Sequence, residues 1–239
     1  MIKGILFDLD GTLLDRDKSL VAFIENQYDR IPAFQCIQKN RFVQRFIELD
    51  QKGYVWKDKV YQQLIQELNI DLNWEELLRD YVESFHNHCI GFPGLIEMLD
   101  DLKGMELKLG IISNGYGRFQ MNNIKGLNID HYFDAILISE IEGLRKPDIK
   151  IFQRAIGRLG IEPQESIFVG DHPVNDVEAS VNAGMKGVWK EDSFFDRPSS
   201  DHLTIRDLRD IKKMISRDCQ RYLKKTMWQC TLVDPCIDV

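Results

Sequence analysis

The chain has 239 residues, and 31 lysines and arginines stand against 38 aspartates and glutamates, a formal net charge of −7. That acidic balance argues against a protein whose main work is gripping nucleic-acid backbones, although a bound cation can reverse the field locally for a small phosphorylated ligand. The length allows one or two domains with a sizeable core. No apolar run approaches the ~18 to 20 residues of a membrane span, and the short apolar start before Asp8 lacks the long h-region of a secretion signal, so a cytosolic protein is expected.

In chain order, five short apolar runs read as strands: Gly4–Phe7, Leu107–Ile112, Ala135–Ile138, Ser166–Val169 and Lys186–Trp189. Runs this short, rich in Ile and Val and closed by Gly, Asp or Asn, suit strands buried on both faces. Between them lie helical patterns at Gly94–Lys103, Gly117–Lys125, Asp148–Leu159 and Pro173–Ala183, and Leu203–Ile215 reads as a final amphipathic helix. Alternating strands and helices imply an α/β fold with a Rossmann-like, doubly wound parallel sheet.

From about Asp17 to His88 the alternation stops. Amphipathic stretches at Leu20–Arg30, Asn40–Asp50, Trp56–Leu68 and Trp74–His86 take its place; Val60, Leu64, Ile65 and Leu68, for example, form one apolar stripe. The pattern divides the chain into a sheet core at 1–15 and 90–215, an inserted helical bundle at 16–89, and an appendage at 216–239 with no clear periodicity. Of the five cysteines, Cys36, Cys89, Cys219, Cys230 and Cys236, none forms a CxxC pair, so neither a disulfide framework nor a zinc site is indicated.

Four polar clusters each follow a predicted strand, and the carboxyl ends of parallel strands face a common crevice. After the first comes Asp8-Leu9-Asp10-Gly11-Thr12. Two carboxylates at i and i+2 repel unless a cation or proton intervenes, and Mg2+ suits an all-oxygen site; a solvated acidic turn is the alternative. Ser113-Asn114-Gly115 offers either phosphate-binding groups or a plain helix cap. Lys146, before Pro147, is either a crevice cation or a solvated loop lysine. Gly170-Asp171-His172-Pro173-Val174-Asn175-Asp176 supplies two more acids, which are capping acids or site residues; His172 beside them is a less favoured ligand or base. Asp8, Asp10, Asp171 and Asp176 are expected to converge.

DxDGT, then Ser-Asn, then Lys-Pro, then GDxxxxD, in this order and each at a strand end, resembles the haloacid dehalogenase superfamily, in its phosphatase-like branch. The insertion resembles that superfamily's helical C1-type cap. The resemblance implies Asp8 as nucleophile, Asp10 as general acid/base, and Thr12, Ser113, Asn114 and Lys146 around the phosphoryl group. It implies Mg2+ held by Asp8, the Asp10 backbone carbonyl and Asp171, with Asp176 in support, and a cap that excludes water. The dehalogenases of the superfamily lack the second Asp, so Asp10 favours hydrolysis of a small phosphorylated metabolite; a sugar phosphomutase is the alternative, and a 2-haloacid dehalogenase the less favoured one. Arg16, Lys18, Arg41, Arg45 and Lys57 are cationic candidates for substrate choice.

Overall fold

The computed structural model describes residues 1–215, so the appendage and three of the cysteines lie outside the described residues. The chain forms two compact units. Of the described residues, one comprises Met1–Thr12, Phe92–Asn114 and 132–215; the other comprises Leu13–Gly91 and Gly115–His131.

The first unit is built on a parallel sheet. Its strands are β1 (Gly4–Phe7), β2 (Lys108–Ser113), β3 (Ala135–Ile138), β4 (Ser166–Gly170), β5 (Lys186–Lys190) and β6 (Leu203–Ile205), in the order β3-β2-β1-β4-β5-β6. All neighbouring pairs are parallel. From β1 the chain fills one side of the sheet with β2 and β3, then crosses to β4, so the topological switch lies between β1 and β4. Ligands of open α/β sheets bind outside the carboxyl ends of strands at such a point. Every residue of β1 and β4 is buried, as a central strand covered on both faces requires.

The covering helices follow from their apolar spacing. In α5, numbering helices along the whole chain, Leu95–Gly104 buries Leu95, Met98, Leu99 and Leu102, one stripe at i, i+3, i+4 and i+7. Helix α8 (Ile149–Leu159) buries Ile151, Phe152, Ala155, Ile156 and Leu159 against Leu6, Leu137 and Phe168 of the sheet. Asp148 caps it, accepting from Lys150 N, and Gly160 ends it at φ +67°.

Two elements differ from the sequence reading. Leu203–Ile205 is a strand paired with β5, and in this stretch only residues 210–215 are helical. The β-branched Thr204 and Ile205 suit an edge strand, and the Asp207 side chain accepts the Arg209 amide just before the helix. The segment expected as one helix from Pro173 opens with a π-helical turn, Pro173–Glu178, before α9 (Ala179–Asn182). His172 accepts from Val174 N and Asn175 N through Nδ1, and its carbonyl takes the Val177 amide five residues on.

The second unit is helical: α1 (Arg16–Arg30), α2 (Lys39–Asp50), α3 (Lys57–Leu68), α4 (Trp74–Ser84) and α6 (Gly117–Gly126). Its two chain entries are laced together. Leu14 and Gly91 form an antiparallel bridge, Asp15 N donates to Ile90 O at 2.8 Å, and Ile90 N donates to Ser19 Oγ at 2.9 Å. Gly115–His131, which the alternation counts with the sheet, groups with these helices through aromatic packing: Phe119 stacks on Tyr81 at 5.3 Å and meets Phe85 at 5.4 Å. Among the described residues no helix is long and apolar enough to cross a membrane.

Candidate active site

The polar clusters that follow β1, β2, β3 and β4 meet at the carboxyl ends of the sheet strands. Asp8 follows β1, its amide bonded to Val169 O of the neighbouring strand at 2.9 Å, and its side chain is buried. Lys146 reaches it from the loop before α8. The Lys146 Nζ donates to Asp8 Oδ1 and to Asp176 Oδ1, both at 2.6 Å, and the lysine is 3% exposed. A lysine this buried survives only because it is paired, which removes the solvated-loop alternative.

Asn114 fixes that lysine's backbone. Its Nδ2 donates to Lys146 O and its Oδ1 accepts from Lys146 N, both at 2.9 Å. The Lys146–Pro147 bond is cis. Neither Ser113 nor Asn114 caps a helix, because α6 begins at Gly117 with Tyr116 in the cap position. Ser113 is buried at the end of β2.

Asp176 is 1% exposed and takes His172 N on Oδ2 at 3.0 Å while Oδ1 takes Lys146. Gly170 makes room for it: a Cβ there would stand 2.3 Å from Asp176 Cβ. Gly11, at φ +80°, makes the matching close approach on the other side, where a Cβ would fall 2.2 Å from Asp171 Oδ2. Only glycine allows both the turn and the contact.

The carboxylate oxygens of Asp8, Asp171 and Asp176 lie within 4.8 Å of one another. The Asp10 carboxylate does not join this group, contrary to the expected convergence of four. The strand ends at Phe7 and the chain turns through Gly11, so the period of two that would aim Asp8 and Asp10 together no longer applies beyond β1.

The buried carboxylates repel one another, and a proton or a cation relieves that repulsion. Burial, opposed by Lys146 and reinforced by Asp176, pushes the Asp8 carboxyl up from 3.8 to about 6. Burial, with Asp8 and Asp176 adding, raises Asp171 well above its ordinary value. Burial alone would lower the Lys146 ammonium, but Asp176 and Asp8 outweigh it and hold it above its ordinary value. Three carboxylates thus share one lysine, and the donor set is all oxygen, which fits a hard divalent ion. Thr12 Oγ1 points the same way for an anion: it is buried and has no hydrogen-bond partner, a deficit worth about 1–3 kcal/mol.

His172 is occupied otherwise. Its Nδ1 accepts two backbone amides and its ring packs on Phe195 at 4.8 Å; burial, with Lys146 adding, lowers its pKa. That supports a neutral capping role. Two residues escaped the sequence reading. Trp189 donates Nε1 to Asp171 O at 2.8 Å, and Lys190, 5% exposed, donates Nζ to Gly11 O at 2.9 Å. Trp189 closes the fifth apolar run and Lys190 follows it, and no local pattern marks either.

The cationic candidates of the helical unit divide. Arg16 and Lys57 converge on buried Asp50, Arg16 at 2.8 Å. Lys18 pairs with Asp15, Arg45 pairs with Glu67 and Glu48, and Arg41 is exposed.

Residues 5–190 match the family model of haloacid dehalogenase-like hydrolases. The chain is 30% identical to the glyceraldehyde 3-phosphate phosphatase of Pyrococcus abyssi over 79% of this chain and 81% of that one. It is 28% identical to the phosphoserine phosphatase of Thermus thermophilus over 65% of this chain and 64% of that one. Among solved structures, a phosphatase of the same superfamily from Thermococcus onnurineus superposes with a TM-score of 0.62 at 28% identity, covering 90% of this chain and 98% of the other.

Proposed function

The chain belongs to the haloacid dehalogenase-like hydrolase family, and on that premise we propose that it is a Mg2+-dependent phosphatase of small phosphate monoesters. The observation that carries this reading is the buried Asp8–Lys146–Asp176 arrangement, a carboxylate held by a fixed cation at the topological switch point. Similarity to phosphatases of glyceraldehyde 3-phosphate and phosphoserine, both small monoesters, supports the substrate class.

Asp8 attacks the phosphorus atom and carries the phosphoryl group as an aspartyl-phosphate, while Asp10 protonates the departing alcohol. Asp10 then takes a proton from water, which attacks phosphorus, releases phosphate and restores Asp8. Lys146 spends two N–H groups on Asp8 and Asp176 and directs the third at a phosphoryl oxygen. The Thr12 hydroxyl gains in the phosphoryl group the partner it lacks within the protein, and Ser113 adds a second hydroxyl. Asp8, Asp171 and the Asp10 carbonyl, supported by Asp176, would hold Mg2+, which supplies a Lewis acid that offsets the charge of two anions brought together. The helical unit serves as the cap and selects the leaving group.

A broad panel of phosphorylated metabolites, assayed with Mg2+ and with a chelator, tests the reading. Phosphate release that needs Mg2+ supports it, and product analysis on sugar phosphates separates hydrolysis from isomerisation. Turnover indifferent to the chelator would contradict it.

A further inference from the structure

Adjacent residues at the carboxyl end of β5 reach the two sides of one contact. Gly11 and the Asp171 carboxylate are so close that any side chain at Gly11 would collide with it. Trp189 holds the backbone carbonyl of Asp171, and Lys190 holds the backbone carbonyl of Gly11. Successive strand residues project to opposite faces, so one dipeptide pins both loops at once.

Burying an ammonium such as that of Lys190 is costly unless it is well seated. Its second seat is the ring of Phe92, whose centroid lies 3.3 Å from Nζ. The ammonium is thus held between an aromatic face and the Gly11 carbonyl. Gly11 is the peptide between Asp10 and Thr12, and its φ of +80° is the turn that sets the direction of both neighbours.

We propose that Lys190 is a positioning residue for this turn: its buried ammonium, seated on Phe92, holds the Gly11 carbonyl and thereby fixes Asp10 and Thr12 for proton transfer and phosphoryl binding. The inference rests on the proposed phosphatase activity for its consequence, and on geometry alone for the contact. A misplaced acid/base slows chemistry more than it weakens binding.

The test compares Lys190→Met, Lys190→Ala and Lys190→Arg with the wild type on p-nitrophenyl phosphate. Lys190→Met is expected to lower kcat by about tenfold to a hundredfold while KM stays within about threefold. Ethylammonium added to Lys190→Ala is expected to restore part of kcat, as a merely space-filling role would not allow. An independent readout needs no turnover: the carbonyl carbon of Gly11 and the amide of Thr12 are expected to shift in the NMR spectrum of Lys190→Met, and Lys190→Arg to restore them partly. If Lys190→Met does not fold, Lys190→Arg and the Phe92→Leu variant decide by the same two readouts. Unchanged kcat and unchanged Gly11 and Thr12 signals, or a lowered melting temperature with kcat intact, overturn the proposal. An inactive wild type with shifted Gly11 signals in the variant would refute the phosphatase reading and leave the positioning contact standing.

Discussion

Lys146 Nζ stands 2.6 Å from Asp8 Oδ1, and both groups are almost wholly removed from water. The pair is a compromise. Burial penalises each charge, and each offsets the other's penalty, with Asp176 as the third member. Removing the lysine should therefore harm both stability and catalysis. Lys146→Met leaves two buried carboxylates uncompensated, with an expected loss of about 3–5 kcal/mol of unfolding free energy. Adding Asp176→Asn to it should recover part of that loss, whereas independent sites would add. Urea denaturation of the four proteins measures the coupling.

Thr12 gives the opposite combination. Its hydroxyl is buried without a partner, so Thr12→Val removes an unmet polar group, and the melting temperature is expected to hold or rise. The same change removes a donor for the phosphoryl group, and inhibition by inorganic phosphate should weaken by about tenfold or more. Thermal melting and phosphate inhibition, measured on one preparation, check both directions.

Protons and metal should compete at this site. The Asp8 carboxyl is raised from 3.8 to about 6 without a metal. A raised acid is protonated more readily in the folded state, so its contribution to stability is fully present below 3.8 and is lost as pH rises through about 6. In the metal-free protein, the difference in melting temperature between wild type and Asp8→Asn should therefore widen from pH 4 to pH 7, with the wild type the less stable. Mg2+ should stabilise the wild type more at pH 7.5 than at pH 5 and release protons on binding. Calorimetry in buffers of different ionisation enthalpy counts those protons.

Gly170 is a packing requirement. A methyl group there meets Asp176 at 2.3 Å, and a buried, doubly bonded aspartate has nowhere to retreat. Gly170→Ala should cost about 1–3 kcal/mol as overpacking does and lower activity by displacing Asp176 from Lys146. A crystal structure of the variant with Asp176 still bonded to Lys146 would show the reasoning to be wrong.

Much of this site was legible in the sequence because each motif sits where a short apolar run ends, and a parallel sheet gathers such ends. Asp8, Lys146, Asp171 and Asp176 meet for that reason. The Asp10 carboxylate stands outside the group of three because strand spacing does not extend past Phe7, into the turn that contains Gly11. Lys190 and Trp189 were illegible because their partners are backbone carbonyls far away in the chain, which leave no trace in local pattern. The edge strand Leu203–Ile205 hides in a helical pattern because three residues are too few to show a period, and pairing with β5 supplies what propensity does not. Gly115–His131 followed the alternation in sequence, yet its aromatic face belongs with Tyr81 and Phe85.

In the proposed reaction a carboxylate oxygen of Asp8 receives the phosphoryl group. Acid quenching of the enzyme during turnover of a radiolabelled monoester, followed by peptide mapping, tests this most directly. The expected result is an acid-stable, hydroxylamine-sensitive label on the peptide that contains Asp8, absent from Asp8→Asn together with turnover. Phosphate release by Asp8→Asn at the wild-type rate would contradict it.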